Sequence, residues 1–254
     1  MMTDYKAIVE WIRDYTTSAG LKTLVVGVSG GVDSAVVSTL CAHTGLNVIL
    51  LKMPLKSNKE NTRLSDLHAL ELVKKFKNVS QIEVDLTSSY MTLQGNLLQS
   101  FPNNDLANAN TKSRLRMISL YYAATCNNGL VVGTGNKVED YGVGFFTKYG
   151  DGGVDISPIA DLTKTEVRNL AKHLGVNDQI IKAPPTDGLW EDNRTDEEQI
   201  GVSYEELEWV MNHLESSDQR DLTSREKEVL KIYLKFHHKN KHKMEPIPTY
   251  RKKS

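Results

Sequence analysis

The sequence predicts an α/β fold: a doubly wound, Rossmann-like parallel sheet flanked by helices, followed by a helical C-terminal part. Three observations predict it. Short apolar runs alternate with helical patterns through the first two-thirds of the chain, a glycine-rich stretch follows the first run directly, and the last third carries three helix-start signals.

The apolar runs are 22–28 (KTLVVGV), 46–53 (LNVILLKM), 79–86 and 130–133 (LVVG). The first, second and fourth are almost continuously apolar, as parallel strands covered on both faces are. Helical patterns fill 32–43, 63–76 and 105–126 between them. In such a sheet, ligands bind beyond the carboxyl ends of the strands. Further on, Thr163 with Glu166, Ser203 with Glu206 and Thr223 with Glu226 each match a capping box, so three helices should start there. The stretch 183–201 (APPTDGLWEDNRTDEEQIG) is rich in Pro, Gly and Asp and has no periodicity. It reads as a linker or as an active-site loop, mobile until ligand binds. From Lys235 onward, seven Lys or Arg face a single Glu, a pattern whose default reading is a solvated basic end. One domain over 1–254 is expected, with the sheet core and its phosphate loop in 1–160 and the helical part, lid and tail in 161–254.

A chain of 254 residues can bury a full core, and 39% hydrophobic with 25% charged residues is ordinary for a globular protein. The formal net charge of −1 calls for no nucleic-acid or membrane partner. No apolar run approaches the roughly 18 residues of a membrane span. The opening MMTDYKAIVEWIRDY is acidic and amphipathic where a leader would be basic and then apolar, so a cytoplasmic location is expected. Cys41 and Cys126 are too few for a disulfide framework or a cysteine metal site, and both read as small buried hydrophobes.

Chemistry enters at Gly27-Val28-Ser29-Gly30-Gly31-Val32-Asp33-Ser34, between the first strand and the first sheet helix. Glycines allow a tight turn and bring backbone N–H groups close to an anion, and the helix points its positive end at the same place. Ser29 and Ser34 add hydroxyls. Asp33 would repel a bare phosphate, so its presence implies a cation between the two, Mg²⁺ above all. The spacing is neither that of a Walker A loop nor that of the dinucleotide fingerprint. SGGxDS resembles the pyrophosphatase loop of the N-type ATP pyrophosphatases, which cleave ATP between its α and β phosphates and share the adenine nucleotide alpha hydrolase type of sheet. A second stretch narrows the resemblance. Gly133-Thr134-Gly135-Asn136-Lys137-Val138-Glu139, then FFTKYGDGG from Phe145 to Gly153, and VDISPI up to Leu162-Thr163-Lys164 are similar to the NAD synthetase family. The likeness continues through Pro185-Thr186 to His242-Lys243 and covers nearly the whole chain. After Pro54, where relatives often carry an aromatic, the chain has Leu55.

The resemblance implies a role for each matching residue. Residues Gly27 to Ser34 would cradle the ATP phosphates, with Asp33 and Glu139 as ligands of Mg²⁺. Thr134, Lys164 and Thr186 would contact ATP. Arg114, Lys148, Asp155, His242 and Lys243 would bind deamido-NAD (nicotinic acid adenine dinucleotide), the last two reaching it from the tail, within one copy or across a homodimer interface. Arg116, two positions from Arg114 on one helix and so pointing elsewhere, is the rival for that role. Asp33, Lys164 and Asp155 would carry the chemistry, Asp155 by orienting or deprotonating ammonium. About twenty residues precede the first motif, which leaves no room for a glutamine-hydrolysing domain, so ammonia is the expected nitrogen donor. The implied reaction converts deamido-NAD and ammonia to NAD, with ATP going to AMP and pyrophosphate through an acyl-adenylate. Other readings of SGGxDS fit less well. A tRNA-modifying relative should bring a basic RNA-binding domain or catalytic cysteines, a GMP synthetase a different segment in place of FFTKYGDGG, and a non-catalytic nucleotide sensor has no use for paired metal ligands.

Overall fold

Among the residues that the computed structural model describes (4–55, 59–190, 192, 194–216 and 220–252), four parallel strands form one sheet. They are β1 (Thr23–Gly27), β2 (Asn47–Lys52), β3 (Val79–Glu83) and β4 (Gly129–Val132), in the order β3-β2-β1-β4. Thr23 is in register with Asn47 on one side and with Gly129 on the other. Beyond β4, a parallel bridge joins Val132 to Ile156, so the chain runs briefly alongside the sheet again.

The unbroken apolar runs are explained by two cores, one on each face. Leu24 and Val26, Val48 and Leu50, and Leu130 and Val132 point to one of them. Val25, Ile49, Leu51 and Val131 point to the other. The first face is covered by α1 (Tyr5–Ser18), α2 (Val32–His43), α3 (Lys59–Lys75), α6 (Lys164–Leu174) and α7 (Asp178–Lys182), through residues such as Ile12, Leu40, Leu72, Val167 and Ile180. The second is covered by α4 (Thr87–Leu98) and α5 (Asp105–Cys126), through Tyr90 and Ala124. α2 is buried nearly all round and accordingly lacks a polar face.

A third cluster joins a π-helical turn (Val138–Val143) to α8 (Asp196–Ile200), α9 (Tyr204–Glu215) and α10 (Ser224–Met244), around Val143, Tyr204, Leu207, Val210 and Tyr233. The division expected near residue 160 is thus not where the cores divide. α6 and α7 belong to the sheet core, and the turn at 138–143 belongs to the helical one.

All three expected capping boxes close with both hydrogen bonds, and a fourth at Thr195 and Glu198 starts α8 inside the stretch read as aperiodic. Positions 191 and 193 of that stretch, and 56 and 57 after β2, lie outside the described residues. The basic end is not a free arm. α10 runs to Met244, with Asn240 Nδ2 donating to Val143 O at 2.8 Å. Cys41 is buried as expected, but Cys126, the last residue of α5, is exposed because Ala124 takes the core-facing position there. No helix among the described residues is long and apolar enough to cross a membrane.

Candidate active site

β1 pairs with β2 on one side and β4 on the other, so the loops leaving β1 and β4 part above the sheet. A cavity of about 660 Å³ opens there, a size suited to a nucleotide-like ligand. Its walls are the loop 27–34, the turn after β4, the segment 144–151, α5, the stretch 183–190 and the end of α10.

Gly30 allows the first loop to pass against α3. Its φ is +89°, and a Cβ there would run into the Asn61 carbonyl oxygen. The two serines stitch the loop together instead of pointing free hydroxyls outward. Ser34 Oγ donates to Gly31 O at 3.0 Å and lies 3.1 Å from Ser29 Oγ, which accepts from Gly31 N at 3.2 Å. Gly31 is the N-cap of α2 and, being glycine, offers no side-chain cap to the first-turn N–H groups of the helix.

Asp33 and Glu139 come together from the two loops, and Lys164 joins them. Lys164 Nζ donates to Asp33 Oδ2 at 2.5 Å and to Glu139 Oε1 at 3.1 Å. Lys164 is the first residue of α6, held by the Thr163 cap, and only 2% exposed. Burial alone would lower its pKa, but Asp33 and Glu139 more than offset that and hold the ammonium protonated. Two residues that no motif reading singled out fix this group. Asn136, fully buried, accepts from the Val138 and Glu139 N–H groups at 3.1 Å and aims its Nδ2 at Asp33 Oδ1, 3.4 Å away. Tyr204, also fully buried, donates its hydroxyl to Glu139 Oε1 at 2.6 Å, lies 3.2 Å from Asp196 Oδ2, and sets its ring 4.7 Å from the Lys164 ammonium. Burial, with Glu139 adding to it, raises the Asp196 carboxyl to about 7 against the pull of Lys164.

The far end of the cavity is cationic. Arg114 donates to the Lys148 carbonyl at 3.2 Å, Lys148 Nζ to the His242 carbonyl at 2.7 Å, and Lys243 Nζ to the Phe146 carbonyl at 2.6 Å. Burial lowers Lys243 to about 8, with Asp151 opposing. The FFTKYGDGG segment is a knot tied onto α5: Asp151 accepts from Ser113 Oγ at 2.6 Å and from Thr147 N at 3.0 Å. A Cβ at Gly150 would collide with Ser113 Oγ, which explains a glycine at that point. Arg116 does not point elsewhere. It lines the cavity as Arg114 does, with Nε directed at the Met53 carbonyl, because both long arms reach a cleft that wraps around α5. Thr186 lies on the wall, its hydroxyl donating to Arg194 O at 3.1 Å within its own loop.

Of the residues singled out from sequence, the structure gathers Gly27, Val28, Ser29, Gly31, Val32, Asp33, Ser34, Thr134, Glu139, Lys164, Thr186, Arg114, Lys148, His242 and Lys243 around this one cavity. Gly30 shapes the loop from behind. Asp155 is not on the cavity wall: its carboxylate accepts from Val131 N at 2.8 Å and Tyr121 OH at 3.1 Å.

Fold and cavity together define a nucleotide-binding α/β enzyme. A family model described as NAD synthase matches residues 4–247. An NH(3)-dependent NAD(+) synthetase of Finegoldia magna is 41% identical over 218 residues, which are 85% of this chain and 86% of the relative. That of Carboxydothermus hydrogenoformans is 44% identical over 207 residues, 79% and 81% of the two chains. Among solved structures, the NMN synthetase from Francisella tularensis matches with a TM-score of 0.85 at 30% identity, over 97% of this chain and 96% of that one. The NH3-dependent NAD synthetase from Campylobacter jejuni matches with a TM-score of 0.78 at 27% identity, over 98% and 100%. The chain belongs to the NAD synthase family.

Proposed function

We propose the following division of labour for the ATP-dependent amidation of deamido-NAD to NAD, the last step of NAD biosynthesis, which is this family's reaction and this chain's. The observation that carries it is the meeting of Asp33, Glu139 and Lys164 at the head of the β1–β4 crevice, beside a helix start whose cap is a glycine without a side chain. The ATP phosphates lie on the loop 27–34 and the first turn of α2. The cationic end, with Arg114, Lys148, His242 and Lys243, takes deamido-NAD, whose pyrophosphate and nicotinate carboxylate it complements. The carboxylate oxygen attacks the α-phosphorus, pyrophosphate leaves, and the resulting acyl-adenylate is opened by ammonia with loss of AMP. Lys164 and the backbone N–H groups meet the charge that develops on the phosphates.

Two carboxylates suit Mg²⁺. Both are hard oxygen donors, and no cluster of three or more metal-ligating side chains occurs among the described residues. A metal held by two protein carboxylates completes its shell with phosphate oxygens and water, which is how Mg²⁺ accompanies nucleotides. When bound, it would draw charge from the phosphates. Ammonia is the nitrogen donor in this reading.

α4, α5 and the turn between them carry Leu98, Phe101, Leu106, Ile118 and Tyr122, all 40% exposed or more. An apolar surface of this kind suits self-association, so we assign the homodimer interface to it. Asp155, bonded to Tyr121 on α5 and off the cavity wall, would reach substrate only with a second copy present. Tyr122→Glu should give monomers by light scattering. If Asp155 acts from the interface, Tyr122→Glu and Asp155→Ala should raise the KM for deamido-NAD together.

The test of the whole reading is product analysis with ATP, Mg²⁺ and ammonium, offering deamido-NAD and nicotinic acid mononucleotide in parallel. AMP and NAD from the dinucleotide are expected. Preference for the mononucleotide would align the chain with the NMN synthetase it resembles in fold. Glutamine in place of ammonium should give no product.

A further inference from the structure

We propose that Lys164 is the resident cation of the Asp33–Glu139 seat: without nucleotide its ammonium fills the place that Mg²⁺ takes when it arrives with ATP. It leaves that place for the phosphates as the metal enters. The inference rests on the reading of Asp33 and Glu139 as metal ligands.

Lys164 donates to one oxygen of each carboxylate, at 2.5 Å and 3.1 Å, and so lies between the two groups that a divalent ion would have to bridge. The seat persists whichever cation fills it, because its walls are fixed from behind. Asn136 ties the Asp33 side to the Glu139 backbone, and the Tyr204 hydroxyl donates to Glu139 Oε1, the same oxygen that Lys164 meets. The lysine backbone is fixed by the Thr163–Glu166 capping box, but its head rides on a four-carbon stem that can pivot. Two carboxylates and one ammonium sum to a single negative charge. A divalent ion added beside Lys164 would reverse that sign and press two cations together at contact distance in a buried site. Exchange avoids the clash. A triphosphate on the loop 27–34 offers the ammonium new anionic oxygens and brings the metal in the same step. Metal and nucleotide therefore bind as one, and the enzyme does not retain a metal between turnovers.

The experiment is a titration with Mn²⁺, following loss of the free-ion EPR signal, on the full chain with and without α,β-methylene-ATP. The unaltered protein should take up Mn²⁺ weakly alone and at least about tenfold more tightly with the analogue. Lys164→Met, although it should lose amidation, should bind Mn²⁺ without nucleotide at least about tenfold more tightly than the unaltered protein. Adding Asp33→Asn should abolish that gain. Equal or weaker binding by Lys164→Met, or tight nucleotide-free binding by the unaltered protein, would overturn the proposal. Failure of the unaltered protein to take up Mn²⁺ even with the analogue would instead overturn the metal-ligand reading beneath it. Should loss of the buried ammonium destabilise Lys164→Met, millimolar Mn²⁺ should raise its melting temperature and that of Lys164→Gln, and leave the unaltered protein unmoved. Absence of that rescue in both variants also counts against the proposal.

Discussion

At the end of the cavity nearest β1, the lysine ammonium is spent on two carboxylates; at the far end, Lys148 and Lys243 give theirs to the backbone carbonyls of His242 and Phe146. The two ends are thus poised for different work. A cation paired with formal charges can meet a ligand only by exchanging partners. A cation held by neutral carbonyls keeps most of its field for an anion that approaches it. The first arrangement suits a phosphate group that must be gripped with a metal and then cleaved, the second a substrate that must be held still.

The largest effect should come from Asp33→Asn, which keeps the shape of the seat and removes half of its charge. NAD formation should fall about a hundredfold or more, with the far-UV spectrum unchanged. Activity within a few-fold of normal would mean that the phosphate end does not depend on charge exchange. Next in size is truncation after Lys239. The KM for deamido-NAD should rise about tenfold while that for ATP changes little, since only the far end loses cations. Unlike removal of a solvated tail, truncation should also lower the melting temperature by several degrees, because the Asn240–Val143 and Lys243–Phe146 hydrogen bonds go with it. A KM shift shared equally by both substrates would erase the distinction between the ends.

Smaller effects should sharpen the contrast. Tyr204→Phe removes one hydroxyl from behind Glu139 and should raise the Mg²⁺ concentration for half-maximal rate several-fold, leaving the KM for deamido-NAD in place. The smallest is a pH effect. Lys243 sits near 8 in the fold against 10.5 when free, so its charge disappears as pH rises through about 8. The KM for deamido-NAD should climb between pH 7 and 9, and Lys243→Met should show a raised KM without that climb. The sign for folding is opposite. Between 8 and 10.5 the unfolded chain binds the extra proton, so this residue's contribution to stability improves with pH across that window.

The Asp33–Glu139 end of the cavity was legible in sequence as a gathering of residues because its parts are local: a glycine turn, a helix start, and Asp33 and Glu139 each a few residues beyond a strand. β1, β2 and β4 were legible for a similar reason, since parallel strands buried on both faces need unbroken apolar runs. What escaped was built from contacts distant in sequence. Tyr204 looks like any aromatic at the start of a capped amphipathic helix. Nothing near it tells that its hydroxyl meets Glu139, and its position directly after the Ser203 cap was the one available hint. Asn136 stood in the quoted GTGN stretch, but its buried amide had no sequence signature. β3 was read as a strand from the run 79–86 although, as an edge strand, it buries only Val79; α4 escaped, because it offers Tyr90 alone to the core and so carries no strong pattern. Asp155 escaped in another way: it stood in the quoted VDISPI stretch, but nothing local tells that its carboxylate accepts from the Val131 N–H and the Tyr121 hydroxyl, off the cavity wall.

The pairing of β1 with β4 has a consequence for the order in which the molecule is made. Thr23 and Gly129 are neighbours in the sheet although the chain between them carries β2, β3 and the helices α2 to α5. Closing so long a loop is entropically slow, and nearest-neighbour pairs such as β1–β2 form with far less delay. A nascent chain can therefore assemble β1, α2 and β2 while the ribosome is still producing α5. It has no crevice until β4 has been threaded in beside β1, and no seat until Lys164 follows. The catalytic cleft is a late seam in folding, and partial chains will hold a sheet without holding a nucleotide.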